Sequence, residues 1–322
     1  MLIIRLKRAL TVLIFVACGS AFAQAWPAKP VRIIVPVGAG SFGDILARLV
    51  AEELQTVFKQ SFVVENKAGA SGILAADFVA KSPADGYTLL IMTNSAHSAN
   101  PHLFKKLPYE PVKDFTPIAR ICYVPFALMV GADSPIRSLE DLVARGKAAP
   151  GKLNYGYANT TSQVAAAALN TLTGMQGVAV AYKTSPQALL EVVSGRVDFL
   201  FNDAGSSAAL LKAGRLRPLA VTSAKRSALF PALPTVEEGA RLAGFSVAAW
   251  AGLGAPAGLP NDITLKLSNA VLDLVKRPAF NEKLMAMGSE AAPAAPAEFG
   301  TYVAQQMDVW GQKVKEAGIE KE

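Results

Sequence analysis

Val31-Arg-Ile-Ile-Val-Pro-Val-Gly-Ala-Gly-Ser-Phe-Gly-Asp44 decides how this chain is read. Val31 to Pro36 is a continuous apolar run, the pattern of a parallel strand buried on both faces. A glycine-rich loop follows, Gly38 to Gly43. Beyond it Phe42, Ile45, Leu46, Leu49, Val50, Leu54 and Val57 recur at spacings of three and four, the apolar stripe of one helix. Free loop amides at a helix N-terminus make an anion cradle. In a cytosolic protein the anion would be a phosphate or a dinucleotide. This chain, however, opens like an exported one, with Arg5, Lys7 and Arg8, an apolar core over Ala9 to Ala17, and Ala21-Phe-Ala23 as a small-x-small cleavage site. Outside the cytoplasm ATP and NAD are scarce. A carboxylate is then the expected anion, and a solute receptor the expected function.

Residues 1–23 read as the signal peptide and residues 24–322 as the mature, periplasmic chain. The apolar segment is shorter than the ~20 residues that span a bilayer. Gly38, Asp44, Lys59, Asp77 and Asp85 interrupt the runs that follow, so a soluble protein is expected. The formal net charge is +7, and removing the three charges of the leader leaves +4. That mild surplus favours anionic ligands by steering. No Lys/Arg stripe with interleaved aromatics is present, which argues against nucleic acid. Cys18 lies in the leader, so Cys122 has no disulfide partner and reads as a buried small hydrophobe. Phe15-Val-Ala-Cys18 loosely resembles a lipoprotein box, and lipidation of Cys18 stays open beside ordinary cleavage after Ala23.

Strand and helix signals alternate along the mature chain. Strands are expected at 61–65, 87–93, 126–131, 152–157, 178–182, 197–201, 218–223 and 245–255. Helices are expected at 71–80, 138 onward, 162–173, 185–195 and 204–214, with two long ones opening near Pro260 and Pro296. Ala291 to Ala297 reads as a helix connection. This order means an α/β architecture with parallel sheets.

Enzyme readings fare badly. His97 and His102 stand five apart with no adjacent Glu, so a zincin motif is absent. Gly69-Ala-Ser-Gly-Ile73 has Ile where a nucleophile elbow needs glycine. Cys122 has no evident base. Gly38-x-Gly40-x-x-Gly43 matches the bare dinucleotide pattern, but only Glu65 stands near the ribose position and the compartment argues against it. No metal site and no cofactor are expected. What remains is a set of loops at predicted strand ends: Gly38–Gly43, Asn94–His97, Ala158–Ser162 and Asn202-Asp203. Ligands of open parallel sheets sit outside such ends. Plainer readings stand beside this one. Ser41 and Asp44 fit a capping box, Thr160, Thr161 and Ser162 fit N-caps, His97 fits a loop backbone partner, and Trp250 fits core.

The chain resembles the Bug family, the periplasmic solute-binding proteins of tripartite tricarboxylate transporters, across its mature length. The resemblance rests on Trp26-Pro-x-Lys-Pro-Val-Arg-Ile-Ile-Val-Pro36, Val64-Glu-Asn-Lys-Ala-Gly-Ala70, Ala84-Asp-Gly-Tyr-Thr-Leu89, Val112-Lys-Asp-Phe-Thr-Pro117, Pro150-Gly-Lys-Leu-Asn-Tyr155, Tyr182-Lys-x-Ser-x-x-Ala-Leu189 and Leu219-Ala-Val-Thr-Ser-Ala-Lys-Arg226. It implies a type II Venus-flytrap fold that holds a small carboxylate in a cleft between two lobes, residues 24–123 with 246–322 and residues 124–245. It also implies a monomer that delivers its ligand to membrane permease subunits. Binding roles then fall on Ala39, Gly40, Ser41, Phe42, Asp44, Ser95, Thr160, Thr161, Ser162, Asn202 and Asp203.

Departures bear on the ligand. The family's first loop usually reads Pro-Ala-Gly-Gly-Pro-Thr-Asp, whereas here it is Gly38-Ala-Gly-Ser-Phe-Gly-Asp44, with an aromatic gained at Phe42 and a hydroxyl lost at Gly43. Val164 stands where the second loop usually has histidine. Asn202 replaces a common aspartate, and strand alternation would turn Asp203 away from the cleft. An aromatic or aliphatic mono- or dicarboxylate is therefore expected over an amino acid. The rivals are an exported hydrolase and a sensor that touches a signalling protein.

Overall fold

The computed structural model describes residues 26–227 and 229–321. The expected signal peptide, its cleavage site and Cys18 lie outside the described residues. In chain order the elements are β1 (Val31–Val35), α1 (Phe42–Phe58), β2 (Phe62–Asn66), α2 (Ile73–Ala80), β3 (Thr88–Thr93), α3 (Asn100–Leu103), β4 (Phe115–Gly131) and α4 (Leu139–Ala148). Then come β5 (Asn154–Tyr157), α5 (Thr160–Thr173), β6 (Val178–Ala181), α6 (Ser185–Val193), β7 (Phe199–Asp203), α7 (Ala204–Lys212), β8 (Leu216–Val221) and α8 (Val236–Ala240). The chain closes with β9 (Ala248–Pro256), α9 (Asn261–Lys276), α10 (Pro278–Ala286), β10 (Glu290–Ala294) and α11 (Pro296–Glu316).

β1 pairs in parallel with β2 and β3, and β5 in parallel with β6 and β7. These two parallel groups are the α/β units the sequence implied. Joining them are the antiparallel strands β9, expected at 245–255, and β4, of which apolar periodicity gave only the second part, 126–131. β4 runs seventeen residues. Its first part, Phe115 to Pro125, pairs with β9. Its second, Phe126 to Gly131, pairs with β7 and β8. The partner change falls at Pro125, whose missing N–H suits a place where a ladder is handed over. Residues 290–294, read from sequence as a helix connection, form β10 antiparallel to β4. Ala and Pro carry weak strand propensity, so the pairing comes from the partner strand rather than from local preference.

The core follows the apolar stripes. Leu46, Val50 and Leu54 of α1 are buried against β1, where Ile33, Ile34 and Val35 are fully covered. A second cluster gathers Trp250 of β9, Phe299 of α11 and Phe115 of β4. Trp250 meets Phe299 edge-on with centroids 5.5 Å apart and Tyr302 at 5.9 Å. Cys122 is buried in the larger cluster that also holds Leu46, Val50 and Leu54, and burial pushes its thiol up to about 12, as suits a packing residue. Among the described residues no helix is long and apolar enough to cross a membrane.

Gly252 of β9 is where α11 comes closest to the sheet. A Cβ there would lie 2.5 Å from Phe299 Cζ and 2.6 Å from the Ala119 carbonyl oxygen. Gly252→Ala should lower unfolding free energy by ~1–3 kcal/mol through overpacking, which a urea melt measures. An unchanged midpoint would mean that α11 sits farther from β9.

Candidate functional site

The ends of β1, β3, β5, β6 and β7 meet at a cavity of about 440 Å³. The helices that follow three of these strands begin at its wall, and their first N–H groups account for its chemistry. In α1 the Asp44 and Ile45 N–H groups return to the Ser41 carbonyl, leaving those of Phe42 and Gly43 without a protein acceptor. In α5 the Asn159 side chain accepts from the Ser162 N–H at 3.0 Å, leaving those of Thr160 and Thr161. In α6 the Thr184 hydroxyl accepts from the Gln187 N–H at 3.3 Å, leaving that of Ser185. Phe42, Gly43, Thr161 and Ser185 all line the cavity. Three helix N-termini thus turn partial positive charge on one space.

Ser41, Phe42, Ser95, Thr161 and Asp203 lie in the wall; Ala39, Gly40, Asp44, Thr160, Ser162 and Asn202 are not part of it, Ala39 and Gly40 being exposed. Each of the second group except Ala39 has a definite task. Asp44 accepts from the Gly40 N–H at 3.0 Å and from Arg48 at 2.9 Å, pinning the loop to its helix. Burial pushes the Asp44 carboxyl up, but the bonds from Arg48, Gly40 and Asn66 outweigh it and hold it below the usual carboxylate range. The capping box read at Ser41 is displaced by one residue: Asp44 reaches Gly40 rather than the Ser41 N–H, and the Ser41 side chain makes no cap bond. Ser41, Ser95 and Ser185 are each more than nine-tenths buried and none makes a side-chain hydrogen bond.

Asn202 and Asp203 reverse the expected arrangement. Strand geometry ends at Asp203, which becomes the N-cap of α7 at φ −71° and ψ 153°. It lines the cavity, while the Asn202 amide turns inward and donates to Ser207 Oγ at 3.0 Å. Burial pushes the Asp203 carboxyl up, against the bonds it accepts from Ser206. Alternation still holds, since the two neighbours point to opposite sides and Asp203 stays paired with Phe126 of β4; what is reversed is which of the two sides is the cavity.

The Asn94–His97 stretch is helical rather than a loop, with a π-turn over Ser95–Ala99 running into α3. It holds α5 directly. Asn94 Nδ2 donates to Thr161 Oγ1 at 2.8 Å, and Thr160 Oγ1 donates to Asn100 Oδ1 at 3.1 Å. Asn100 Nδ2 also donates to the Ser71 carbonyl. His97 is buried, with Nδ1 3.2 Å from the Thr93 carbonyl and Nε2 bare, which fixes the Nδ1–H tautomer. Burial lowers its pKa to about 4, the Thr93 bond opposing. Trp250 is both core and wall. Val164, at the family's histidine position, is buried core.

Two wall segments escaped sequence reading. Residues 182–185 have the same strand–loop–helix form as the first loop, and Thr184 with Pro186 was a helix-start signal. Gly69 to Gly72 has four successive positive φ values, including Ala70 at 46° and Ser71 at 51°. Its glycines were visible; left-handed Ala and Ser were not. Among the described residues no group of His, Cys, Asp and Glu is arranged to hold a metal.

The sequence profile described as tripartite tricarboxylate transporter family receptor matches residues 46–319. The chain belongs to this family. A UPF0065 protein of Bordetella bronchiseptica is 35% identical over 308 residues, 96% of this chain and 91% of that one. The structure of Rpa4515 from R. palustris with adipate is similar at TM-score 0.90 and 36% identity, covering 92% of this chain and 100% of that one. MatC from Rhodopseudomonas palustris with bound malate follows at TM-score 0.84 and 30% identity, covering 90% and 100%. The α/β, two-lobed binding-protein fold implied by the resemblance is therefore the fold of this receptor.

Gly38 abuts α6, since a Cβ on it would overlap the Thr184 methyl. Gly38→Ala should weaken ligand binding by ~1–3 kcal/mol of overpacking. Adding Thr184→Ser, which keeps the capping hydroxyl and deletes the methyl, should restore most of it. Equal calorimetric affinities for Gly38→Ala and the wild type would show that this contact is absent from the bound state.

His97 also gives a pH signature. Its folded pKa of about 4 lies below the ~6.5 of an unfolded histidine. The unfolded chain therefore takes up the proton first as pH falls, and stability drops between ~6.5 and ~4. The raised Asp203 carboxyl slopes the other way, so the difference between wild type and His97→Leu isolates the histidine. That difference should fall toward pH 4 in denaturant melts; a flat one would mean a solvated ring.

Proposed function

We propose that this chain is a periplasmic receptor that holds a small carboxylate between the starts of α1, α5 and α6 and passes it to membrane permease subunits. The observation that carries this reading is the convergence of unpaired N–H groups and unbonded serine hydroxyls on one cavity. Adipate and malate in the similar structures support it. A helix N-terminus is worth ~0.3–2 kcal/mol to an anion. Each hydrogen bond to a charged acceptor adds ~1.5–3 kcal/mol. Three or four such bonds, less binding costs, reach the ~−8 kcal/mol of a micromolar complex. No basic side chain is required.

The lobes are proposed as residues 24–123 with 246–322 and residues 124–245. The partner change of β4 at Pro125–Phe126 and the re-entry of the chain at β9 support those crossings. Closing the lobes brings α5 and α6 against α1 and the π-turn. The cavity offers no nucleophile paired with a base, so the role proposed is binding without turnover, in a monomer.

Mass spectrometry of ligand released from the purified protein should find a carboxylic acid, unchanged on incubation. Thr161→Ala should weaken that acid by ~1–1.5 kcal/mol, one hydrogen bond. A released ligand with no acid group would overturn the reading.

A further inference from the structure

The cavity wall has a charge pattern that selects among carboxylates. Apolar and aromatic side chains dominate it, with Phe42, Phe104, Phe126, Tyr157, Tyr182 and Trp250 supplying six rings. Phe42 follows Ser41 directly, so a ring stands next to the helix start that takes the carboxylate. Among the described wall residues only three are Asp, Glu, Lys, Arg or His: Lys183, Asp203 and Glu320. Lys183 and Glu320 are exposed, where water screens them. Asp203 is buried, but both its oxygens are engaged: Oδ1 accepts from the Ser206 N–H at 2.7 Å and Oδ2 from the Ser206 hydroxyl at 2.9 Å. Its Oδ1 faces its own helix, 3.4 Å from where a Cβ on Gly205 would stand. It caps α7 rather than offering a free acceptor to the cavity.

A second carboxylate placed among the rings, away from the helix starts that take the first, would therefore meet no buried cation either, and an ammonium group no uncommitted acid. Either charge would lose its hydration without a partner, which is costly. An uncharged apolar body loses nothing and gains burial. Resting on the carboxylate reading above, we infer that the ligand is a monocarboxylate with an uncharged aryl or alkyl body, its acid group at the helix starts and its body against Phe42.

Isothermal titration of the purified protein with four probes tests this: hexanoate, adipate, 3-phenylpropionate and phenylalanine. The first and third share their apolar bodies with the second and fourth, which add one charge each. Hexanoate and 3-phenylpropionate should bind at least about tenfold more tightly than adipate and phenylalanine, a factor of ten being ~1.4 kcal/mol. Adipate or phenylalanine binding as tightly as its partner overturns the inference while leaving a carboxylate receptor. If none of the four binds, the inference is overturned, and the carboxylate reading is then decided by the mass spectrum of the released ligand. Phe42→Ser should weaken 3-phenylpropionate by about tenfold. Because Phe42 also contributes to the core, Lys183→Met is the second variant. It should leave 3-phenylpropionate binding within about twofold, whereas a tenfold loss would place the ligand at the rim and overturn the inference.

Discussion

β4 is the strand on which the rest of the molecule depends. Its first part completes the sheet that carries β1 and β3, and its second part completes the sheet that carries β5 and β7. The cavity lies where the two sheets point their strand ends at one another, so its shape is set by the angle β4 takes at Pro125. The Arg120 guanidinium in the same strand is held between the rings of Tyr123 and Tyr302, 4.9 and 4.4 Å from their centroids, and donates to the Ala292 carbonyl. That stack joins β4, β10 and α11 into one unit beside the crossing. Lys313 of α11 adds a bond to the Ser246 carbonyl just before β9. Both crossing segments are therefore braced by the C-terminal helix.

In the site as proposed, charge is met with dipoles instead of ions. Arg48 of α1 is spent on Asp44, and that pair positions the Gly40 N–H rather than facing the cavity. Helix starts suit a receptor that must also release its ligand. A buried guanidinium paired with a carboxylate would bind tightly but leave an uncompensated buried charge on release, whereas amides lose only part of their hydration.

Sequence periodicity revealed the elements whose burial is one-sided or complete, such as β1 and α1, because those patterns are imprinted by the core. It passed over β10, whose Glu-Ala-Ala-Pro-Ala carries little apolar signal and is a strand only because β4 offers an open edge. It also treated Phe126 to Gly131 as a separate strand, since nothing local marks a strand that continues while its partners change. In the site, Ser41 and Thr161 were legible as polar residues at helix starts. Ser185 was not, although its motif had been noted, because the cavity wall is assembled from segments far apart in sequence. Asp203 was misplaced for a related reason: alternation sets Asn202 and Asp203 on opposite sides of the strand, but which side is the cavity depends on where distant segments pack.

The bonds from Asn94 to Thr161 and from Thr160 to Asn100 join α5 to the π-turn and α3 through protein atoms alone. Asn94 and Thr161 also line the cavity, whereas Thr160 and Asn100 do not, so the energy of the Thr160–Asn100 bond is the same whichever acid is held. Strengthening or deleting that bond changes the fraction of molecules in the binding-competent arrangement, and apparent affinity scales with that fraction. Such changes shift the affinity for every ligand by one common factor and leave their order untouched. Natural variation at Thr160 and Asn100 would tune the solute concentration at which the receptor fills, independently of the wall residues that choose the solute.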